Sequence, residues 1–374
     1  MTAALELTGI THRHARADHP TLVDVDLVAR AGEMVAVLGP SGSGKTTLLR
    51  VAAGLEQPQA GDVRLDGASV LDVPTERRDL TVMFQQAHLF PHLDVLDNVA
   101  FADRLRGDSR AQSRTAAQRY LELVHLGDFA RRRPRQLSGG QEQRVALARA
   151  LAARRRVMLL DEPFSALDSD LRASMHQLLG EVRAALDPTI LLVTHDLDEA
   201  GLADHVAVLV QGRIEQFDTI RALYSTPKSA AVARLVGGFN EIPGIIEAGV
   251  HHSVLGCGVL PGAIRTRGNA VLLVRKERLE LVAPRHADSA VGQVVQIRQS
   301  GPHQDVVVEV SGARPGVQLR VVVEVRGGTT LRPGDRSGVL LPGPGGLWAV
   351  PGSLPVPVIQ VQHPATGSDV LPGT

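Results

Sequence analysis

The sequence predicts an α/β fold, a mostly parallel sheet with an inserted helical lobe, followed by a separate all-β domain. Apolar runs of strand length alternate with helical patterns up to about residue 236. One of these strands runs through a glycine-rich segment directly into a helix. Beyond residue 237 the helical spacing stops, and valine-rich runs alternate with glycine and proline turns.

The first part of the chain carries apolar runs of strand length separated by helical spacing. The predicted strands are 5–11, 22–29, 34–38, 61–67, 80–84, 157–160, 190–194 and 206–210. Helical patterns cover 46–53, much of 93–153, and 171–186. Because strands and helices alternate, we expect one domain over 1–236, with helices on both faces of the sheet and a helical lobe at about 88–155.

The second part predicts a small, barrel-like β domain over 237–352. Its strand candidates are 271–274, 291–297, 306–310, 317–325 and 339–341. Residues 353–374 are rich in proline and glycine, which predicts a flexible tail. His251 and His252 are adjacent on a strand and point to opposite faces, so we expect surface histidines rather than a metal pair.

Composition limits the function classes. The formal net charge is zero and the pI is near 7.3, so bulk charge gives no case for nucleic-acid binding. A single cysteine, Cys257, excludes an intrachain disulfide framework and a cysteine-based zinc site. The first residues do not resemble a secretion signal, and the longest apolar runs are far shorter than a membrane span. We therefore expect a soluble, cytoplasmic chain.

The segment from Gly39 to Thr47 has the pattern of a phosphate-binding loop. Its glycines allow backbone N–H groups to face an anion, and the following helix directs its positive dipole end to the same place. Lysine is rare in this chain, at three residues, yet one of them stands in this loop. The predicted nucleotide-binding residues are Gly39, Ser41, Gly42, Ser43, Gly44, Lys45, Thr46 and Thr47, with the Thr46 hydroxyl as an Mg²⁺ ligand.

Asp161 and Glu162 end an apolar strand and complete a phosphate-transfer site. The Asp161 carboxylate would hold Mg²⁺ through water, and Glu162 would deprotonate the attacking water. An acidic pair at a strand end can also simply solvate a loop. After a phosphate-binding loop, and before Ser165 and Asp168, the catalytic interpretation is favoured.

Residues 137–141 open the helix that runs to Ala153. Ser138 is a candidate N-cap, and Gly139 and Gly140 leave the start of the helix bare of side chains. Each glycine costs about 1 kcal/mol inside a helix relative to alanine. A capped helix is the simpler interpretation, but the two glycines favour a surface that closes over a nucleotide held by a second copy, in a two-fold dimer.

Taken together, these motifs resemble the ATPase subunits of ATP-binding cassette (ABC) transporters over roughly residues 5–236. Six motifs stand in the order of that family: 39–47, Gln85, 137–141, the strand 157–162, 165–168 and His195. The resemblance implies a P-loop NTPase fold with a RecA-like parallel sheet, ATP and Mg²⁺ as ligands, and ATP hydrolysis.

The resemblance also implies roles for individual residues. Gln85 would contact Mg²⁺ or the attacking water, and His195 would touch the γ-phosphate. His14 stands where relatives carry an aromatic residue that stacks on adenine. The residues that would act on the site of a second copy are Ser138, Gly139, Gly140, Gln141 and Asp168.

The β domain resembles the tandem oligonucleotide-fold-like regulatory segment of bacterial importers for ferric ion, polyamines, sulfate and sugars. Lys276 departs from that resemblance, because relatives often have proline there. Glu142 departs from the ATPase pattern, which often has glutamine at this position. Because aromatic residues are scarce, we expect this domain to support dimer contact or regulation rather than base stacking.

The resemblance implies a homodimer docked on two transmembrane permease subunits at the cytoplasmic face of the cell membrane, with an extracytoplasmic solute-binding protein acting indirectly. The solute classes left open are ferric ion, polyamine or quaternary amine, and oxyanion. Three alternatives remain: a soluble ABC-type ATPase acting as a mechanical switch, an ABC exporter subunit, and an unrelated P-loop kinase or GTPase.

Overall fold

The computed structural model describes residues 4–15, 17–260, 267–311, 318–343 and 347–351. The predicted tail at 353–374 lies outside these residues. The chain divides into two compact units, Met1–Val236 and Gly237–Thr374.

The first unit contains ten strands and nine α-helices among its described residues. The strands are β1 (Leu5–His12), β2 (Leu22–Ala29), β3 (Met34–Leu38), β4 (Ala60–Leu65), β5 (Ala68–Ser69), β6 (Leu80–Met83), β7 (Val157–Asp161), β8 (Thr189–Thr194), β9 (His205–Val210) and β10 (Arg213–Asp218). The helices are α1 (Lys45–Ala53), α2 (Val95–Val99), α3 (Phe101–Leu105), α4 (Arg110–Leu123), α5 (Gly139–Ala152), α6 (Ser169–Leu186), α7 (Leu197–Ala200), α8 (Ile220–Ser225) and α9 (Ala230–Val236).

A six-stranded sheet in the order β10-β9-β3-β8-β7-β6 forms the centre of this unit. β9, β3, β8, β7 and β6 pair in parallel, and only β10 runs antiparallel. Every residue of β3, β7 and β8 is buried, as expected for strands covered on both faces. The α/β class with a parallel sheet is therefore confirmed.

Successive side chains of the central strands enter two different cores. Met34 and Ile190 belong to the core that includes the helices α2, α4, α5 and α6. Val35 and Leu191 point to the opposite face and pack with α1 and the strands β1, β2 and β4. The sheet thus carries the helices of the predicted lobe on one side and a second β layer on the other.

That second layer is a separate antiparallel sheet in the order β2-β1-β4-β5. The sequence pattern located β1, β2 and β4 but not β5, and it did not separate these strands from the parallel sheet. Alternation of the kind seen in β2, where inward Val25 and Leu27 flank outward Asp26, is typical of a strand with one solvated face.

Arg78 joins α1 to the segment that follows β5. Its side chain is 2% exposed, and its guanidinium donates to the carbonyl oxygens of Ala52 and Val73, each at 3.0 Å. Gly54 ends α1 at φ 77°, and a Cβ there would collide with this guanidinium. A buried arginine therefore caps the last turn of the helix that begins at the phosphate-binding loop.

The second unit is all β, as predicted. Its strands are β11 (Phe239–Glu247), β12 (Val250–Ser253), β13 (Gly256–Val259), β14 (Gly268–Arg275), β15 (Glu280–Val282), β16 (Ala290–Ser300), β17 (His303–Ser311), β18 (Gln318–Arg326), β19 (Arg336–Leu340) and β20 (Trp348–Pro351). They form two antiparallel five-stranded sheets, β13-β12-β11-β14-β20 and β15-β19-β16-β17-β18, around one shared core.

The expectation of two surface histidines in this unit is wrong for one of them. The two side chains do point to opposite faces of the strand, but His251 is completely buried, and that burial lowers its pKa. His252 faces outward, with its Nδ1 3.2 Å from the sulfur of Cys257. Within the described ranges of the chain, no helix is long and apolar enough to cross a membrane.

Candidate active site

The phosphate-binding loop joins β3 to α1 and uses glycine for distinct reasons. Gly42 and Gly44 have φ values of 80° and 105°, in the region that other residues avoid. A Cβ on Gly39 would collide with the carbonyl oxygen of Leu209, whereas a Cβ on Gly42 would meet nothing within 4 Å. Packing thus requires Gly39, and Gly42 lies on the open side where a ligand can approach the backbone.

Lys45 is the first residue of α1 and is 5% exposed. Its ammonium donates to the carbonyl oxygens of Gly39 and Pro40, at 2.9 and 3.1 Å. The nearest carboxylate oxygen, on Glu162, is 3.8 Å away. Burial lowers the pKa of Lys45, and the charges of Glu162 and Asp161 only partly oppose this effect. The charge is therefore held by its own loop, without a close counterion.

Thr46 and Asp161 lie side by side. The Thr46 hydroxyl donates to Asp161 Oδ1 at 3.1 Å, and Asp161 is 8% exposed. Burial raises the pKa of Asp161, Thr46 lowers it, and the neighbouring Glu162 raises it further. A buried carboxylate beside a hydroxyl and a second carboxylate is an oxygen-rich site that a hard divalent cation would stabilise.

Glu162 lies between Lys45 and His195. Its φ is 45°, which is unusual for a residue with a side chain, and its N–H donates to the carbonyl oxygen of Val193 at 2.9 Å. One carboxylate oxygen is 3.2 Å from His195 Nδ1, and the other faces Lys45. The strained backbone therefore holds this carboxylate between the Lys45 ammonium and the His195 imidazole.

Gln85 reaches the same region from the end of β6. Its amide nitrogen donates to Ser165 Oγ at 3.1 Å, and the Ser165 hydroxyl donates to the carbonyl oxygen of Glu162 at 3.0 Å. Since the amide nitrogen is engaged, the carbonyl oxygen of Gln85 is the atom left to face a cation. The sequence predicted Gln85 as a site residue but not its link through Ser165.

Two further residues were missed by the sequence reasoning. Gln143, on the buried face of α5, donates to the backbone carbonyl of Gln85 at 2.6 Å. Arg149, two turns further along α5, donates to the carbonyl oxygens of Ala87 and His88, at 2.7 and 2.9 Å. The sequence signal that could have identified these two residues is a polar side chain on an otherwise apolar helix face. The distant residue that such a side chain contacts cannot be deduced from sequence spacing.

The other predicted residues lie where two helices begin, at Ser138 before α5 and at Asp168 before α6. Ser138 is the N-cap of α5, which confirms that prediction, and it forms a capping box with Gln141. The Asp168 carboxylate accepts from the N–H of Leu171 at 2.9 Å and so caps α6. Each of these side chains thus has a structural role in its own helix; their action on a second copy stays a prediction.

The two glycines after Ser138 differ in their surroundings. Gly140 is buried, and a Cβ there would lie 3.0 Å from the Leu171 side chain. Gly139 is exposed, and a Cβ there would meet nothing within 4 Å. Helix packing therefore explains Gly140, whereas Gly139 leaves open surface at the start of α5.

His14 lies beside the start of α1. Its Nε2 is 3.3 Å from the hydroxyl of Thr47, and its ring meets the ring of His12 edge-on, with the centroids 4.9 Å apart. The side chain is 47% exposed. The structure thus places His14 next to the phosphate-binding loop; stacking on adenine stays a prediction.

These residues fit a nucleotide and Mg²⁺. The Ser43 hydroxyl is buried in the loop and has no hydrogen-bond partner in the described part of the chain. Lys45 has a charge without a close counterion, which a phosphate would supply. Thr46, Asp161 and the Gln85 carbonyl offer the oxygen ligands that Mg²⁺ prefers.

Comparison with known proteins agrees with this geometry. The ABC transporter family model matches residues 22–165. A spermidine/putrescine import ATP-binding protein of Thermobifida fusca is 46% identical over 245 residues, covering 65% of this chain and 64% of that protein. An Fe(3+) ions import ATP-binding protein of Rhodococcus jostii is 41% identical over 344 residues, covering 91% of this chain and 97% of that protein. A sulfate/thiosulfate import ATP-binding protein of Brucella melitensis is 39% identical over 330 residues.

Solved structures give the same result for the first unit. The dimeric structure of a bacterial ABC transporter cassette is 33% identical, with a TM-score of 0.53, and covers 58% of this chain and 99% of that one. A post-hydrolysis structure of that cassette, bound to ADP and Pi, is 34% identical with the same TM-score. The chain therefore belongs to the ABC transporter ATPases, in the group of import ATP-binding proteins.

Proposed function

We propose that this chain is the ATP-hydrolysing subunit that energises uptake of a small solute across the cell membrane. The observation that carries the proposal is the extent of the likeness to import ATP-binding proteins. It spans 97% of the ferric-ion relative and 90% of the sulfate relative, and in each case it extends beyond the ATPase unit into the β unit.

In the proposed reaction, ATP binds along the open side of the 39–44 loop, and Lys45 exchanges its backbone carbonyls for phosphate oxygens. Glu162 accepts the proton of the attacking water, and His195, 3.2 Å from that carboxylate, orients it. Thr46, Asp161 and Gln85 would hold Mg²⁺, which when bound neutralises charge on the phosphate oxygens.

The active unit that we propose is a homodimer. Ser138 and Gly139 lie exposed at the start of α5, where an anion would meet free N–H groups and the positive end of the helix dipole. The solved relative in dimeric form supports this arrangement. We propose that Ser138, Gly139, Gly140, Gln141 and Asp168 of each copy complete the site of the other.

We further propose that the dimer docks on two membrane permease subunits at the cytoplasmic face, with an extracytoplasmic solute-binding protein delivering the solute. The segment 85–92 is the proposed docking site, since Gln85, Gln86 and His88 are exposed and Arg149 fixes the backbone there. Cysteines placed at exposed positions of 85–92 should crosslink to a permease subunit. Crosslinks confined to the opposite end of the unit would contradict this docking site.

The relatives' names leave three solute classes: polyamines, ferric ion and sulfate or thiosulfate. Uptake of each labelled solute should be measured in cells that lack this chain and in cells complemented with it. Uptake of one class should return with the natural chain and with a Glu181→Gln surface control, but not with Glu162→Gln. Equal uptake of all three classes without the chain would contradict the importer proposal.

A further inference from the structure

Three side chains beside the start of α1 bring two imidazole nitrogens and a carboxylate oxygen together. His12 Nε2 is 3.0 Å from Glu56 Oε2, and His14 Nδ1 is 3.5 Å from the same oxygen. All three atoms lie within 4.8 Å of one another. None of these residues belongs to the phosphate-transfer chemistry described above, apart from the predicted adenine contact of His14.

The two atoms that face each other are buried and have only each other as a partner. His12 is 6% exposed, and apart from their mutual contact at 3.0 Å, neither His12 Nε2 nor Glu56 Oε2 has a hydrogen-bond partner within the described residues. His12 Nδ1 is 2.9 Å from the carbonyl oxygen of Gln57, which can only accept, so Nδ1 carries a proton. Nε2 therefore faces the Glu56 carboxylate, and either a proton or a metal ion can bridge these two atoms.

The distances suit a metal ion. Ligand atoms about 2.0 to 2.1 Å from a tetrahedral Zn²⁺ lie about 3.3 Å from each other. The observed 3.0 and 3.5 Å separations bracket that value. The remaining separation, between the two imidazoles, can close by rotation of His14, whose side chain is 47% exposed.

Each of the three side chains also has an outer partner. The Gln57 carbonyl holds His12, and the Thr47 hydroxyl lies 3.3 Å from the other nitrogen of His14. The second oxygen of Glu56 accepts from Arg50 at 3.3 Å. Such outer contacts are typical of metal sites in proteins, where they fix the histidine tautomer.

We propose that His12, His14 and Glu56 bind a divalent transition-metal ion of the Zn²⁺ class, with a fourth position open to solvent. Two nitrogen ligands favour such an ion over Mg²⁺ or Ca²⁺. Because coordination would fix the His14 imidazole, which the sequence predicts to stack on adenine, we expect bound metal to weaken that contact. The proposal of metal binding depends only on this geometry. The expected effect of the metal on ATP binding also depends on the proposed function.

The first experiment titrates Zn²⁺ into the full, chelator-treated chain without nucleotide, by calorimetry. We expect one site whose affinity falls at least about tenfold in Glu56→Gln and in His14→Phe, since each removes a ligand. Cys257→Ser is the control, because Cys257 and His252 form another potential soft-ligand pair. Unchanged affinity in both ligand variants, absence of binding to the natural chain, or loss of binding in Cys257→Ser would overturn the proposal.

Cobalt substitution tests the ligand set independently of stability. The Co²⁺ form should give the visible absorption of a four-coordinate or five-coordinate site without a thiolate charge-transfer band, and this absorption should disappear in His14→Phe. A thiolate band would place the metal at Cys257 instead. ATP affinity, measured with buffered free Zn²⁺, should weaken for the natural chain and not for Glu56→Gln. Equal ATP affinity with and without Zn²⁺ would overturn the link to the nucleotide site.

Discussion

Lys45 in the first unit is buried and Lys276 in the second is partly buried, and their pKa values move in opposite directions. Burial lowers the pKa of Lys45, whose nearest carboxylate oxygen is 3.8 Å away. Burial also acts on Lys276, but a hydrogen bond to Asp305 at 2.9 Å and the Glu324 oxygen at 3.3 Å outweigh it and raise its pKa. The fold therefore leaves the charge of Lys45 largely unpaired, whereas the charge of Lys276 is already paired within the fold.

The same contrast extends to one carboxylate of each unit. Asp161, in the first unit, is buried next to a second carboxylate, and burial raises its pKa. Asp305, in the second unit, accepts two hydrogen bonds from the Lys276 ammonium. Imperfectly paired buried charges lower stability and are concentrated at functional sites. In the β unit, Lys276 is paired with Asp305 and Glu324, so this lysine has a structural explanation.

The largest effect is expected from Lys45→Met. The change removes the positive charge at the phosphate position, so ATP hydrolysis should fall by at least about 100-fold. Stability should change by less than about 1 kcal/mol, because a poorly paired buried charge is lost together with its two hydrogen bonds. Phosphate release and thermal unfolding measure the two effects. Hydrolysis near the natural rate would contradict the role of Lys45.

Lys276→Met should have the opposite profile. It leaves Asp305 and Glu324 without their cation, so we expect the β unit to lose about 1 to 2 kcal/mol of stability while ATP hydrolysis is retained. Because the folded pKa of Lys276 is raised, the stabilisation is complete below the ordinary lysine pKa of 10.5 and is lost as pH rises through the folded value. Hydrogen exchange of β17 and β18 measures the change. Exchange rates that match the natural chain at pH 8 would contradict it.

Asp161→Asn should raise the stability of the nucleotide-free chain by about 1 kcal/mol while abolishing Mg²⁺-dependent hydrolysis. The asparagine keeps an oxygen for the Thr46 hydroxyl and removes a buried charge. The folded pKa of Asp161 is raised above 3.8, so its protonated form stabilises the fold at low pH, and this contribution is lost as pH rises through the folded value. The advantage of the variant should therefore be greatest near pH 7 and shrink on acidification. A lower thermal midpoint at pH 7 would contradict the electrostatic argument.

The smallest change in stability is expected from alanine substitutions of the two glycines at the start of α5, and the two variants should differ. Gly139→Ala places a methyl group in open space and should stabilise the chain by about 0.5 kcal/mol through helix propensity. Gly140→Ala must displace Leu171 and should be neutral or destabilising. If a second copy approaches Gly139, the more stable variant should nevertheless hydrolyse ATP more slowly. Unchanged hydrolysis by Gly139→Ala would remove that residue from the proposed interface.

The sequence predicted the structural elements that are determined by residues within their own segment. The run from Met34 to Leu38 is buried on both faces and was located with its observed bounds, and Ser138 was predicted as an N-cap from its own segment. The assignment of β1, β2 and β4 to a separate sheet depends on long-range pairing, which alternation alone does not determine. The burial of His251 likewise depends on which face of β12 meets the core.

The candidate site was predictable where residue type dictates chemistry. Lys45, Thr46, Asp161, Glu162 and His195 follow from phosphate and water chemistry at strand ends, together with the family resemblance, and the structure brings them together. The connections through Ser165 and Gln143 were not predicted. Their hydrogen bonds join residues 80 and 58 positions apart, and no sequence period reports such a contact.

The most direct test of the account is sedimentation of Glu162→Gln with and without saturating Mg-ATP. The variant keeps Lys45 and the 39–44 loop, the proposed ATP-binding groups, and lacks the proposed base, so we expect it to shift from monomer to dimer when ATP is added. The double variant Glu162→Gln/Lys45→Met is the matched control and should not shift. A Glu162→Gln variant that binds ATP yet sediments identically in both conditions would contradict the proposal that two copies close over the nucleotide.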